Sequence, residues 1–325
     1  MTLHALAESL RRHPSIRGKL AIGQATGMLG LRADSFGRPG DDAAILPRAG
    51  EGCFDLLAGE GFIQQFVSQD PWFAGWCGVM VNLSDIAAMG GRAVALVNQV
   101  WAPSPGAASP LLDGLRSASA AYGVPIVGGH TNLDSAELGL AVTAFGRAER
   151  LITSFDAEPG DLLIAAIDKR GSYRPPYDNF CAALDAPPER LQSELKILAQ
   201  LAEAGLVLAG KDISQGGIVG TALMLAECSC VGIRLDLDAI EPPKGVTAER
   251  WLHSFPSFGF LLSVKPNRAP AVINRFTDDG IDAATIGTLD ESSTVTLSSG
   301  GSTALFWDWH ADPYLHLATR EAIHA

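Results

Sequence analysis

Residues 73–89 carry one charge, Asp85, in a run that is otherwise almost wholly apolar or small. Such a run predicts a long helix, and a helix without a polar face is normally buried. Gly90-Gly91 supplies its C-terminal stop. Strands are predicted around it, over residues 42–46, 54–58, 93–100, 124–127 and 138–144, the fourth of them buried and opening into Gly128-Gly129. Residues 111–122 read as a second helix closed by Gly123, and 103–110, rich in Pro, Ser and Gly, as a loop. Alternating strands and helices indicate an α/β domain.

The mixed pattern resumes after a Pro159-Gly160-Asp161 turn. Strands are expected over 162–167, 259–264 and 294–297, helices over 191–204 and 218–226, and a loop over 170–179. The chain therefore divides into expected domains of residues 1–155 and 156–325. Short helices over 3–20 are expected to dock on the domain body, and Trp307, Trp309 and His310 to pack on it.

With 47% hydrophobic residues the chain can bury a sizeable core, and its net charge of −12 argues against nucleic-acid binding or docking on an anionic membrane. A phosphorylated ligand stays open, because Mg²⁺ can supply positive charge. Five cysteines without a C-x-x-C pair argue for free thiols in a reducing cytoplasm. No apolar h-region stands in residues 1–20, and no run is long enough for a membrane span.

Four segments set polar side chains beside glycines or small residues: Gly40-Asp41-Asp42-Ala43-Ala44, Asn82-Leu83-Ser84-Asp85, Gly128-Gly129-His130-Thr131 and Asp212-Ile213-Ser214-Gln215-Gly216-Gly217. Scattered carboxylates beside small residues suit hard cations and the phosphates they carry. Each segment also has an ordinary structural reading. Asp41-Asp42 after Pro39-Gly40 fits a plain turn, and Ser214 fits a helix N-cap, although exposed N–H groups at that helix start also suit an anion. Asp85, inside an apolar helix, needs a partner or a metal. His130 alone reads as a structural histidine, Lys19 and Lys169 as surface charges, and Glu60 and Asp70 as either surface or site residues. Neither a G-x-x-x-x-G-K-[ST] loop, a G-x-G-x-x-G fingerprint nor a G-x-S-x-G elbow is present.

Taken in series, with Pro159-Gly160-Asp161 at the domain junction, these segments resemble the aminoimidazole ribonucleotide (AIR) synthetase superfamily over roughly residues 35–265. Its members include thiamine-monophosphate kinase, selenophosphate synthetase, the hydrogenase maturation dehydratase and formylglycinamidine ribonucleotide synthetase. The resemblance implies an α/β (α+β) two-domain chain. Its N-terminal domain would join a second subunit in a barrel-like homodimer core, and a C-terminal α/β domain would cover an ATP cleft. By position in the family pattern, Asp41, Asp42, Asp85 and Asp212 match metal ligands, and Thr131 matches the threonine of Gly-Gly-x-Thr. Asn82, Gly128, Gly129, His130, Ser214, Gly216 and Gly217 complete the implied nucleotide site. Asp42, Asp85, His130 and Lys19 are the catalytic candidates, Lys19 as an N-terminal lysine folding over the phosphates.

Thiamine-monophosphate kinases have Asp where His130 stands, and Val-Glu-Gly-Val-His-Phe where this chain has Ala58-Gly59-Glu60-Gly61-Phe62-Ile63. Selenophosphate synthetases carry Gly-Gly-His-Thr but need a reactive cysteine near the N-terminus, and none precedes Cys53. The hydrogenase factor acts through a C-terminal cysteine, and the chain ends Ala322-Ile323-His324-Ala325. The expectation is an AIR synthase-related enzyme that uses ATP and Mg²⁺ on a small molecule of open identity; the alternatives are a non-catalytic nucleotide-binding assembly subunit, and an activity like that of thiamine-monophosphate kinase or selenophosphate synthetase.

Overall fold

The computed structural model describes residues 2–32, 34–48 and 52–317, so residues 322–325 lie outside it. The chain forms two compact units: a larger one from Met1–Asp41, Ile152–Leu184 and Ala204–Ala325, and a smaller one from Asp42–Leu151 and Asp185–Glu203.

The larger unit opens with α1 (Leu3–Arg12), α2 (Pro14–Arg17) and α3 (Ala21–Met28). Thr2 Oγ1 accepts the Ala5 N–H at 3.2 Å and so caps α1. Ala7, Leu10 and Ile16 are buried, so the opening helices dock as their apolar spacing requires.

The smaller unit holds a five-stranded sheet in the order β1-β2-β5-β3-β4. The strands are β1 (Ala44–Pro47), β2 (Phe54–Gly61), β3 (Arg92–Trp101), β4 (Ile126–Asn132) and β5 (Gly139–Ala148). Its helices are α4 (Gln64–Gln69), α5 (Pro71–Ala88), α6 (Pro105–Tyr122), α7 (Pro188–Glu194) and α8 (Ile197–Glu203), so the helix expected over 191–204 is two. α5 is the predicted apolar helix, packed between α6 and the sheet. Asp70 caps it, Oδ1 accepting the Phe73 N–H at 3.3 Å. A Cβ on Gly75 would fall 2.1 Å from the Leu111 carbonyl oxygen, and one on Gly114 1.9 Å from that of Trp72. Glycine is what lets the two helices come this close. α6 starts earlier than expected because Ser104 caps it and Pro105 takes its first position, where a missing N–H costs nothing. Read by composition alone, those residues resemble a loop.

β4 also departs from expectation. The glycines lie within the strand, which is an edge strand and largely exposed. The register shifts from Leu96↔Ile126 to Val97↔Gly128, so Val127 bulges out, 65% exposed.

In the rest of the larger unit a seven-stranded mixed sheet runs β15-β14-β10-β13-β6-β12-β9 and a three-stranded one β11-β8-β7. The strands are β6 (Leu162–Ile167), β7 (Ser172–Tyr173), β8 (Asn179–Cys181), β9 (Ala209–Asp212), β10 (Gly232–Asp236), β11 (Phe255–Pro256), β12 (Gly259–Val264), β13 (Asp282–Asp290), β14 (Thr294–Ser299) and β15 (Ser302–Asp308). The expected loop over 170–179 thus includes β7 and the first residue of β8. Helices α9 (Gly217–Ser229), α10 (Ala248–His253) and α11 (Ala269–Thr277) complete the unit. Trp307 and Trp309 are buried, as expected of them, with Trp309 Nε1 donating to the Val231 carbonyl at 3.0 Å, while His310 stays exposed. Glu227, wholly buried on α9, accepts the N–H groups of Tyr314, Leu315 and Leu317 at 2.5–3.1 Å. Tyr314 Oη donates to the Ile16 carbonyl at 2.7 Å, and burial pushes its pKa up. None of the five cysteines, all of them among the described residues, is in a disulfide. Among the described residues no helix is long and apolar enough to cross a membrane.

Candidate functional site

In the smaller unit Asp42 stands two residues before β1, and Asp85 lies in the last turn of α5, 6% exposed. Each presents a carboxylate oxygen within 4.8 Å of the other. Two carboxylates this close repel unless something positive lies nearby. Asn82 sits one turn before Asp85 on the same helical face, fully buried. Its Nδ2 donates to the Gly78 carbonyl at 2.8 Å, and its Oδ1 accepts no hydrogen bond among the described residues. A buried amide oxygen without a donor is costly. Asp42, Asp85 and Asn82 offer oxygen donors only, with neither sulfur nor imidazole, which is the donor set a small hard cation takes. The residues present therefore fit Mg²⁺.

β4 carries Gly128, Gly129, His130 and Thr131 at the edge of the sheet opposite β1. Gly129 has φ +154°, and a Cβ there would fall 2.1 Å from the Asn98 carbonyl oxygen, so close approach of β3 dictates glycine. Gly128 has open space around it. His130 is in register with Gln99 and Thr131 with the buried Val100. Successive strand residues face opposite ways, so His130 lies on the bare face of the sheet and Thr131 on the helix-covered face. Both are exposed, and the strand does not aim them at one point.

The remaining predicted residues belong to the larger unit. Asp41 Oδ1 accepts the Ser154 N–H at 2.9 Å and the Ser154 hydroxyl at 2.7 Å. Lys211, 5% exposed on β9, donates from Nζ to the Gly40 carbonyl at 3.2 Å and to Ser154 Oγ at 3.4 Å. Ser154 and Lys211 thus hold the Gly40-Asp41 turn that leads into Asp42. Sequence reasoning missed both, although a lysine inside the run Ala209-Gly210-Lys211-Asp212-Ile213 is an unusual charge for a strand core.

Asp212, next along β9, is 2% exposed, and its carbonyl accepts the Thr221 hydroxyl at 3.3 Å. Ser214 is not the cap of α9. Gly216 takes that position with φ +115°, and Gly217 follows at +63°, where a Cβ would lie 2.4 Å from His253 Cα. Ser214 Oγ instead accepts from Lys19 Nζ at 3.3 Å, so the N-terminal lysine and the glycine turn meet. An open cavity of about 520 Å³, lined by Gly52, Cys53, Glu149, Arg150 and Glu203, includes none of the predicted residues.

Comparison with known proteins bears on these arrangements. The family models for the AIR synthase related protein match the chain twice, the N-terminal domain over residues 40–148 and the C-terminal domain over 180–299. An uncharacterised protein of Synechocystis is 49% identical over 278 residues, 85% of this chain and 85% of that protein. A thiamine-monophosphate kinase of Synechococcus elongatus is 29% identical over 286 residues, 79% of this chain and 85% of the kinase. Among solved structures, AaThiL complexed with AMPPCP and TMP matches with a TM-score of 0.65 at 19% identity, covering 88% of this chain and 96% of that one. T. maritima PurL complexed with ATP matches with a TM-score of 0.73 at 16% identity, covering 98% of this chain but 53% of PurL, so the chain spans about half of that protein. The structural likeness is one of fold: a mixed α/β chain with two domains of AIR synthase type.

Proposed function

This chain belongs to the AIR synthase-related family, and we propose that it is a Mg²⁺- and ATP-dependent enzyme that phosphorylates or activates a small molecule. The observation that carries this reading is the close pair of half-buried Asp42 and buried Asp85, with an amide oxygen that lacks a donor one helical turn away. Relatives named as kinases, and a PurL structure holding ATP, support it.

Phosphoryl transfer asks for charge neutralisation and alignment more than for a protein nucleophile. Mg²⁺, when bound, supplies the neutralising charge. In this reading Asp42, Asp85 and Asn82 hold it from the smaller unit, and Asp41 and Asp212 join the set by their positions in the family pattern. Gly128, with open space around it, leaves the β4 backbone open to a phosphate, Thr131 lines the phosphate path, and His130, on the opposite face of the strand, contacts phosphate or substrate. Lys19, held by Ser214, brings its ammonium to the turn of Gly216 and Gly217, where N–H groups at the start of α9 favour an anion. The reading includes a homodimer: the bare face of the smaller unit's sheet exposes Leu57 and Trp101 at 44% and 39%, which supports a second copy lying against it. An ATP-dependent enzyme whose five cysteines form no disulfide suits the cytoplasm.

ADP release across a panel of hydroxyl-, phosphate- and amide-bearing small molecules tests this, alongside calorimetry with ATP and Mg²⁺. Asp42→Asn is expected to lower ADP release by about a hundredfold or more, with thermal unfolding nearly unchanged. Undiminished turnover in that variant removes the metal role. Tight ATP binding with no ADP release from any substrate makes the chain a nucleotide-binding assembly subunit instead.

A further inference from the structure

We propose that His13, Asp178 and His253 form a second metal site, in the larger unit, for a divalent transition ion of the zinc class. His13 joins α1 to α2, Asp178 directly precedes β8, and His253 ends α10. Each presents one ligand atom, and the three lie within 4.8 Å of one another. Two imidazole nitrogens and one carboxylate oxygen make a donor set for zinc rather than magnesium, unlike the oxygen donors of Asp42, Asp85 and Asn82.

Two of these three side chains, His13 and Asp178, are held from behind. His13 Nδ1 lies 2.6 Å from Ser15 Oγ and 3.3 Å from the Ser15 backbone nitrogen, so the ring is held at Nδ1, and Nε2 is open to a metal in the tautomer whose Nδ1–H donates to Ser15 Oγ. Asp178 Oδ1 accepts from Arg250 Nε at 3.0 Å, while Oδ2 faces His253 Nε2 at 3.9 Å. The Arg250 guanidinium is in turn stacked 3.6 Å over the Tyr173 ring. One carboxylate oxygen is thus tied down and the other is turned toward the imidazoles. The two imidazole rings stack with centroids 3.9 Å apart and planes 23° from parallel. Coordination requires the rings to leave this stacked arrangement and turn until both nitrogens point at one centre. Asp178 is exposed, so a fourth position opens to solvent.

The location gives the site a consequence. The backbone of His253 presses on Gly217 in the turn that starts α9. His13 precedes Lys19 on the same arm of the chain. An ion here would clamp that arm to α10, beside the turn on which Lys19 already rests.

The test uses the full chain, stripped with a chelator and titrated with Co²⁺. Nitrogen-rich four-coordinate Co²⁺ absorbs visibly and strongly, whereas cobalt held by oxygens alone does so weakly. An Asp85→Asn background keeps the aspartate pair from contributing. The expected result is a visible band that saturates at one Co²⁺ per chain, is displaced by Zn²⁺, and weakens at least about tenfold in affinity in His253→Gln. Should His253→Gln fold poorly, the half-buried His13→Gln carries the same expectation, with folding checked by circular dichroism. A chain that shows no visible band at millimolar Co²⁺, or a band unchanged in the doubly substituted His13→Gln, His253→Gln protein, overturns the proposal.

Discussion

The sheets of the two units bury their side chains differently. In the larger unit, β6 and β12 lie side by side with eleven of their twelve residues buried, so both faces are covered. In the smaller unit, β5 alternates, with Leu140, Val142, Ala144 and Gly146 buried and the residues between them partly exposed. A strand covered on both faces reads as a continuous apolar run, and a strand with one wet face alternates. The larger sheet is closed off partly by the chain's own N-terminal helix, since α1 packs on β14 and β15. The smaller sheet leaves one face less covered, and that is the face on which Leu57, Trp101 and His130 stand.

Matched substitutions test this contrast most strongly. Leu261 is wholly buried on β12, and Leu261→Asp is expected to cost upward of about 4 kcal/mol and leave little folded protein. Leu57→Asp on the bare face is expected to change unfolding by less than about 1 kcal/mol while shifting sedimentation from dimer to monomer. If both variants lose their fold alike, the smaller sheet is no more open than the larger. A finer test lies within β4. Gly129→Ala should cost about 1–3 kcal/mol, because the added methyl meets the Asn98 carbonyl, whereas Gly128→Ala should leave the denaturant midpoint almost unmoved. Equal effects at the two positions would mean that β4 is not held against β3.

The smallest expected effect concerns pH in the larger unit. His253 has its pKa lowered from 6.5 by burial, so the unfolded chain takes up its proton at a higher pH than the folded one. Stability from this group is therefore whole above pH 6.5 and falls as pH drops from 6.5 toward the lowered folded value. Thermal melts in chelator across that range should show the decline in the native chain and a shallower one in His253→Gln. Parallel curves would assign the decline to other groups.

Much of the fold was legible because local pattern and tertiary role agree. α5 is apolar all round and is buried, and β6 and β12 stand at the residues their apolar runs mark. Legibility failed where one residue type serves two purposes. Ser104 and Pro105 resemble loop residues yet begin a helix, and Gly128-Gly129 resemble a strand end yet lie inside a bulged strand. Ser214 reads as a cap because serine often caps, but two glycines with positive φ take the turn and leave its hydroxyl to Lys19. In the candidate site, the acidic and glycine segments could be found because each is a short motif. Ser154 and Lys211 could not be tied to Asp41, nor His13 to Asp178 and His253, because those groupings join segments far apart in the chain, and no local window holds them.

Glu227 is one side chain, yet it collects the backbone donors of Tyr314, Leu315 and Leu317, and Tyr314 reaches across to the carbonyl of Ile16. The first helices and the last described segment are therefore secured to α9 through a shared fastening. Loosening either one frees the other, so the order of the arm that carries Lys19 depends on residues nearly three hundred positions downstream.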